Sequence, residues 1–168
     1  MLDSKNILVV EDDSDIRELI SFNLSNQGHQ VFEANNGELG IEKARKKLPD
    51  LILLDLMLPG IHGLDVCRIF KADQETKDIP IIMVTAMGQE EDIVKGLETG
   101  ADDYITKPIK PRALTSRINS FFKRRFSSKD SSLVQEIETL KIDKNSYTTI
   151  LDGKKIYSAE NLKVGLFK

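Results

Sequence analysis

Five short apolar runs alternate with segments of helical spacing from the N-terminus to about residue 124. The runs are Ile7–Val10, Val31–Ala34, Leu51–Leu54, Ile81–Val84 and Tyr104–Thr106. The third and fourth are uninterrupted Leu, Ile, Val and Met, as in strands buried on both faces of a parallel sheet. Between the runs, Ile16, Leu19, Ile20 and Leu24 share a helical face that stops at Gly28, and Ile93 and Leu97 precede Gly100. Turn signals fall where an alternating chain must reverse: Asn36-Gly37, Pro49-Asp50, Pro59-Gly60 and Gly100-Ala101. The pattern predicts an α/β fold over residues 1–124, a five-stranded doubly wound sheet with right-handed crossovers.

The pattern then changes. Lys123-Arg124-Arg125 closes the last helix, and the Ser-rich stretch after it predicts a flexible linker over residues 125–136. Residues 137–168 carry partial alternation in Ile137–Ile142 and Tyr147–Leu151. Asp152-Gly153 is a two-residue hairpin signal leading into Lys155–Tyr157. This predicts a short antiparallel β segment.

Composition narrows the class. The chain has 168 residues, room for one full domain and a short extra piece. No apolar run approaches the roughly 20 residues of a membrane span. Three acids directly follow Ile7–Val10, the wrong order for a secretory signal, so a cytoplasmic protein is expected. Cys67 is the only cysteine, which excludes an internal disulfide and a cysteine-based zinc site. Charge is uneven: residues 1–122 hold 14 basic against 21 acidic residues, and the remainder ten against six. An acidic body argues against nucleic-acid binding by the first domain and leaves it open for the tail.

Open α/β sheets gather ligand groups beyond the carboxyl ends of their strands. Here Glu11, Asp12 and Asp13 follow the first strand, Asp55 the third, Thr85 the fourth, and Lys107-Pro108 the fifth. Clustered carboxylates repel and must take up protons or a cation. A few hard oxygen ligands suit Mg²⁺, which accepts one or two carboxylates, waters and a phosphate. Lys107 and Thr85 can meet phosphoryl oxygens, so the set suits Asp55 as a nucleophile in phosphoryl transfer. Singly, each residue has a bland explanation: Asp13 as a helix N-cap, Thr85 as an ordinary strand-end threonine, Lys107 as a surface lysine. Their joint placement carries the reading. A flavin or nucleotide protein of similar fold would need a Gly- or Ser-rich first turn to hold phosphate, not Glu11-Asp12-Asp13. An aspartate-nucleophile phosphatase would need an acid two residues after Asp55, where Met57 stands.

At these residues the sequence resembles the receiver domain of two-component response regulators, most closely the OmpR/PhoB-like branch with a winged-helix output domain. The stretches ILVVEDDSDIRELI, DLILLDLMLPGIHGLDVCR, PIIMVTAM and ETGADDYITKP carry the resemblance, over about residues 5–124. It implies a CheY-like, flavodoxin-like sheet of order 2-1-3-4-5. It also implies a phosphoacceptor switch in place of an enzyme, with at most self-catalysed phosphorylation from small acyl phosphates and autodephosphorylation. Asp55 then matches the phosphoacceptor, served by a sensor histidine kinase. Glu11, Asp12, Asp55 and the Met57 carbonyl match the Mg²⁺ ligands. Thr85 and Tyr104 match the switch pair, Lys107 the phosphate-binding lysine, and Ala86 the small residue that keeps the phosphoryl group accessible. Pro108 is expected after a cis bond. His62 is expected in a loop near the site and His29 in an exposed turn, neither as donor or ligand.

In this branch phosphorylation promotes homodimerisation through the fourth helix, fifth strand and fifth helix, where Lys95, Asp102, Asp103, Arg112 and Arg117 match. Ala113 stands where the family has Glu, and Ile109 where it has Phe. The lost acid predicts a weaker dimer. Residues 137–157 resemble the small sheet that opens the winged-helix domain. Family members continue with Ser/Thr-x-x-Glu, whereas Ser158-Ala159-Glu160-Asn161 has the acid one place early, and Lys168 leaves no room for a recognition helix. Residues 137–168 therefore read as a truncated output segment. A fragment of a DNA-binding regulator, and a stand-alone receiver acting on a protein partner, are the alternatives.

Overall fold

The structure, a computed structural model, describes residues 3–86, 90–130, 140–143, 148–151 and 154–157. The chain divides into two units, residues 1–121 and 122–168.

Five strands alternate with helices in the first unit: β1 (Asn6–Val10), α1 (Ser14–Asn26), β2 (Gln30–Ala34), α2 (Gly37–Lys47), β3 (Leu51–Asp55), α3 (Gly63–Ala72), β4 (Ile81–Ala86), α4 (Glu90–Glu98), β5 (Asp103–Lys107) and the start of α5 (Pro111–Asp130). All strand pairs are parallel, in the order β2-β1-β3-β4-β5. The three central strands are apolar along almost their whole length because helices cover both faces. Ile7, Leu8, Leu51, Ile52, Leu54, Ile81 and Ile82 are fully buried. The edge strand β2 has one solvated side and keeps Gln30 and Glu33 exposed.

Register places the chemistry. Val10 pairs with Leu54, Asp55 with Val84, Thr85 with Thr106 and Ala86 with Lys107. Glu11, Asp55, Thr85 and Lys107 therefore emerge at the same edge of the sheet.

Three local expectations are corrected. His29 is buried, not exposed: Gly28 takes a left-handed φ of 87°, and the His29 ring accepts the Lys5 backbone N–H at Nδ1 (3.2 Å). Asn36-Gly37 is a helix start, not a turn; the Asn36 side chain accepts the Leu39 N–H as the N-cap of α2. The last helix runs on to Asp130, so residues 125–130 of the expected linker are helical. Phe122 and Phe126, one turn apart, stack at 6.2 Å and favour that continuation. The rest of the expected linker, the Asp152-Gly153 hairpin and the residues from Ser158 onward lie outside the described residues. In the second unit, β6 (Leu140–Asp143), β7 (Thr148–Leu151) and β8 (Lys154–Tyr157) form a three-stranded antiparallel sheet.

Among the described residues, no helix is long and apolar enough to cross a membrane.

Candidate functional site

Of the three acids after β1, Asp13 is committed to the helix. Its side chain accepts the N–H groups of Asp15 (2.9 Å) and Ile16 (3.1 Å), capping α1. Glu11 and Asp12 are left for the crevice. Glu11 is 1% exposed, and its Oε1 accepts the Asp13 N–H at 3.1 Å. Asp55, at the end of β3, is 3% exposed and accepts the Met57 N–H at Oδ1 (3.2 Å). Lys107 reaches in from β5, its Nζ 3.0 Å from Glu11 Oε2 and 3.3 Å from Asp55 Oδ2.

One ammonium thus faces several carboxylates. Burial, and then the Asp55 charge, push the Glu11 carboxyl up from its ordinary 4.5 to about 7, against the pull of Lys107 and the Asp13 N–H. Burial alone would lower the Lys107 pKa. The adjoining Glu11 and Asp55 carboxylates outweigh it and hold the ammonium above its ordinary value.

The residues fit a small hard cation. Glu11, Asp12 and Asp55 each offer a carboxylate oxygen, and these lie within 4.8 Å of one another. Among the described residues Glu11 Oε2 is buried with no hydrogen-bond partner: the Lys107 ammonium is close enough for an ion pair but not aligned for a hydrogen bond. One ammonium shared between two buried carboxylates leaves negative charge that a second cation would neutralise.

Thr85, the residue before the end of β4, is 1% exposed, and among the described residues its hydroxyl makes a long bond of 3.4 Å, to the Ala86 carbonyl. Met57, two residues after Asp55, is 56% exposed. Tyr104 is half-buried and lines, with Lys107, Pro108, Lys110, Ala113 and Arg117, a cleft of about 280 Å³. The Lys107–Pro108 bond is cis. His62 caps α3, its Nδ1 accepting the Leu64 N–H at 3.2 Å.

The charges matched to the dimer face are spread over α4, β5 and α5. Lys95 and Arg112 are exposed. Asp103 pairs with Arg117 of its own chain at 3.1 Å. Asp102 accepts the Ile81 N–H at 2.9 Å and so caps the start of β4, with Lys71 3.9 Å away. Ile109 is half-buried and Ala113 exposed.

Two residues that sequence reasoning passed over belong to the site. Arg17 on α1 donates through Nη1 to the Glu11 carbonyl (2.8 Å) and the Asp12 carbonyl (3.2 Å). Gly63, the first residue of α3, packs so closely that a Cβ would lie 2.3 Å from the Asp55 carbonyl oxygen. Only the absence of a side chain lets α3 start against the Asp55 backbone.

The response regulator receiver domain model matches residues 7–119. The phosphate regulon transcriptional regulatory protein PhoB of Klebsiella pneumoniae is 46% identical over 144 residues, 86% of this chain and 62% of that protein. PhoB of Pseudomonas aeruginosa is 45% identical over 150 residues, 89% of this chain and 65% of its own length. The chain thus spans under two thirds of these curated relatives. Among solved structures, chemotaxis response regulator CheY4 of Vibrio cholerae superposes with a TM-score of 0.67 at 27% identity, over 70% of this chain and 98% of that one. An acidic cluster, an aspartate ending the middle strand and a facing lysine, on this sheet and with these relatives, identify the chain as a member of the response regulator receiver domain family.

Proposed function

We propose that Asp55 is the residue phosphorylated in this receiver domain, and that Glu11, Asp12, Asp55 and the Met57 carbonyl hold Mg²⁺ for the reaction. The observation that carries this reading is a single Lys107 ammonium shared between the buried Asp55 and Glu11 carboxylates. The donor is a phosphohistidine of a sensor histidine kinase. An Asp55 carboxylate oxygen forms a bond to phosphorus, the phosphorus–nitrogen bond breaks, and the imidazole nitrogen leaves with the electron pair. Bound Mg²⁺ supplies charge neutralisation for the incoming phosphoryl oxygens. Lys107 exchanges part of its pairing with the carboxylates for a phosphoryl oxygen. Thr85, whose hydroxyl makes a long hydrogen bond to the Ala86 carbonyl, turns that hydroxyl to another phosphoryl oxygen, and Tyr104 moves with it. A small acyl phosphate can replace the kinase as donor, and water returns Asp55 to its free state.

The change at Thr85 and Tyr104 reaches the α4-β5-α5 face, where Lys95, Asp102, Asp103, Arg112 and Arg117 support a homodimer of the phosphorylated form. The PhoB relatives support transcription regulation as the output, with residues 137–168 as the opening sheet of a winged-helix domain. DNA is a partner only where that domain is complete. Cytoplasmic placement follows from the same reading.

Intact-mass measurement after incubation with Mg²⁺ and acetyl phosphate tests the central step. The wild type should gain one phosphoryl group and Asp55→Asn none. Equal gain in both, or gain in neither, removes Asp55 from the role.

A further inference from the structure

Arg17 makes contacts that helix surface charges do not ordinarily make. Its guanidinium donates to two consecutive backbone carbonyls, those of Glu11 and Asp12, and its Nε lies 3.7 Å from Glu33 on β2. The side chain is 19% exposed, so these contacts are largely shielded from water. The Glu11 and Asp12 carbonyls belong to the two peptide planes that flank Asp12. Each plane is rigid, so holding both restrains φ and ψ of Asp12 and with them the direction in which its Cα–Cβ bond leaves the backbone. Asp12 is itself exposed, so packing does not aim it. Glu11, by contrast, is held by burial.

We propose that Arg17 is a positioning residue that aims the Asp12 carboxylate into the cation site by clamping the carbonyls on either side of it. This rests on the Mg²⁺ site proposed above. The chemistry requires arginine: its forked, fixed donors can serve two acceptors and a carboxylate at once, whereas a lysine ammonium is a point charge on a flexible stem. Positioning and plain electrostatics predict opposite signs. A bystander cation near the site repels Mg²⁺, so removing it would tighten binding. A clamp, once removed, lets the ligand swing away and loosens binding.

Calorimetric titration of Mg²⁺ into the full chain decides between them. Arg17→Met should bind Mg²⁺ on the order of tenfold more weakly than wild type. Arg17→Lys should fall between the two. Glu33→Gln, which removes the ion pair and leaves the carbonyl clamp, should stay within about twofold of wild type. In phosphorylation by acetyl phosphate, Arg17→Met should need more Mg²⁺ for half-maximal rate and recover the wild-type rate at saturating Mg²⁺. Unchanged or tighter binding by Arg17→Met overturns the clamp, as does an equal loss in Glu33→Gln. If Arg17→Met does not fold, Arg17→Lys decides, and wild-type affinity there overturns it too. A wild-type chain that binds no Mg²⁺ sinks the proposed metal site along with the clamp, which tells that failure apart from the others.

Discussion

The interior of the central strands and their carboxyl ends are equally buried and obey different rules. Ile52, inside β3, is 0% exposed; Asp55, three residues on, is 3% exposed. Burial of Ile52 lowers the free energy of the fold, because apolar surface leaves water. Burial of Asp55 and Glu11 raises it, because charge leaves water and, among the described residues, only Lys107 forms an ion pair with them. The same strand therefore contributes stability in its middle and gives some up at its end. What the end gains is a pair of acids that a second cation would satisfy better than the folded chain alone does.

The largest effect that would break this contrast comes from Asp55→Asn. It should abolish phosphoryl uptake and leave the metal-free protein at least as stable as wild type, since one of several mutually repelling acids is gone. Thermal melting beside the mass measurement reads both. A clear loss of stability would mean that Asp55 is a structural residue held by Lys107, and the distinction between interior and end would fail there.

The reverse experiment is Ile52→Ala. It should cost about 2–5 kcal/mol in urea unfolding by leaving a cavity among Leu8, Leu54 and Ile81. The fraction that remains folded should still take up phosphate, because β3 pairing holds Asp55 from the backbone. Loss of uptake out of proportion to loss of folded protein would show that interior packing sets the site.

Next in size is a pH effect. Folded Glu11 titrates near 7 and the unfolded residue near 4.5. Between those values the folded state keeps a proton that the unfolded state has lost, so unfolding releases it. Stability from this group is therefore greatest below about pH 4.5 and falls as pH rises through about 7, by on the order of 3 kcal/mol. Urea unfolding in EDTA from pH 5 to 8 should show the decline, Glu11→Gln should flatten it, and Mg²⁺ should stabilise most at the alkaline end. An equal decline in Glu11→Gln would place the titration elsewhere.

The contrast also explains what the sequence disclosed. β3 and β4 were legible because strands covered on both faces leave apolar runs without alternation, and the site was legible because its residues end those runs. Arg17 was not, since it acts on backbone carbonyls, which every residue has, and an arginine on α1 reads as any solvated charge. Asp102 matched the dimer face by position, yet its bond to the Ile81 N–H depends on how β4 and β5 come together. His29 looked like a turn residue because the backbone N–H that its ring accepts belongs to Lys5, 24 positions away. The α5 helix outran its expected end because Phe122 and Phe126 support another turn in a segment that composition alone marks as polar.

The smallest effect lies at the face that would read the switch. Ala113 is exposed and lines the cleft beside Lys110 and Arg117, where the family resemblance places an acid. Ala113→Glu should do two things. Within the chain, Glu at 113 stands four residues before Arg117, an arrangement that adds about 0.2–0.5 kcal/mol to helix stability and competes with Asp103 for that arginine. Across a dimer it offers one more partner at the rim, which strengthens association by no more than about 1 kcal/mol. Sedimentation of the acetyl phosphate-treated protein should therefore show a severalfold tighter dimer at most, and untreated protein no change. A dimer equally strong before and after treatment would mean that the face associates without regard to Asp55. A variant that dimerises no better would mean that Arg117 stays with Asp103 and that the missing acid is not what limits this interface.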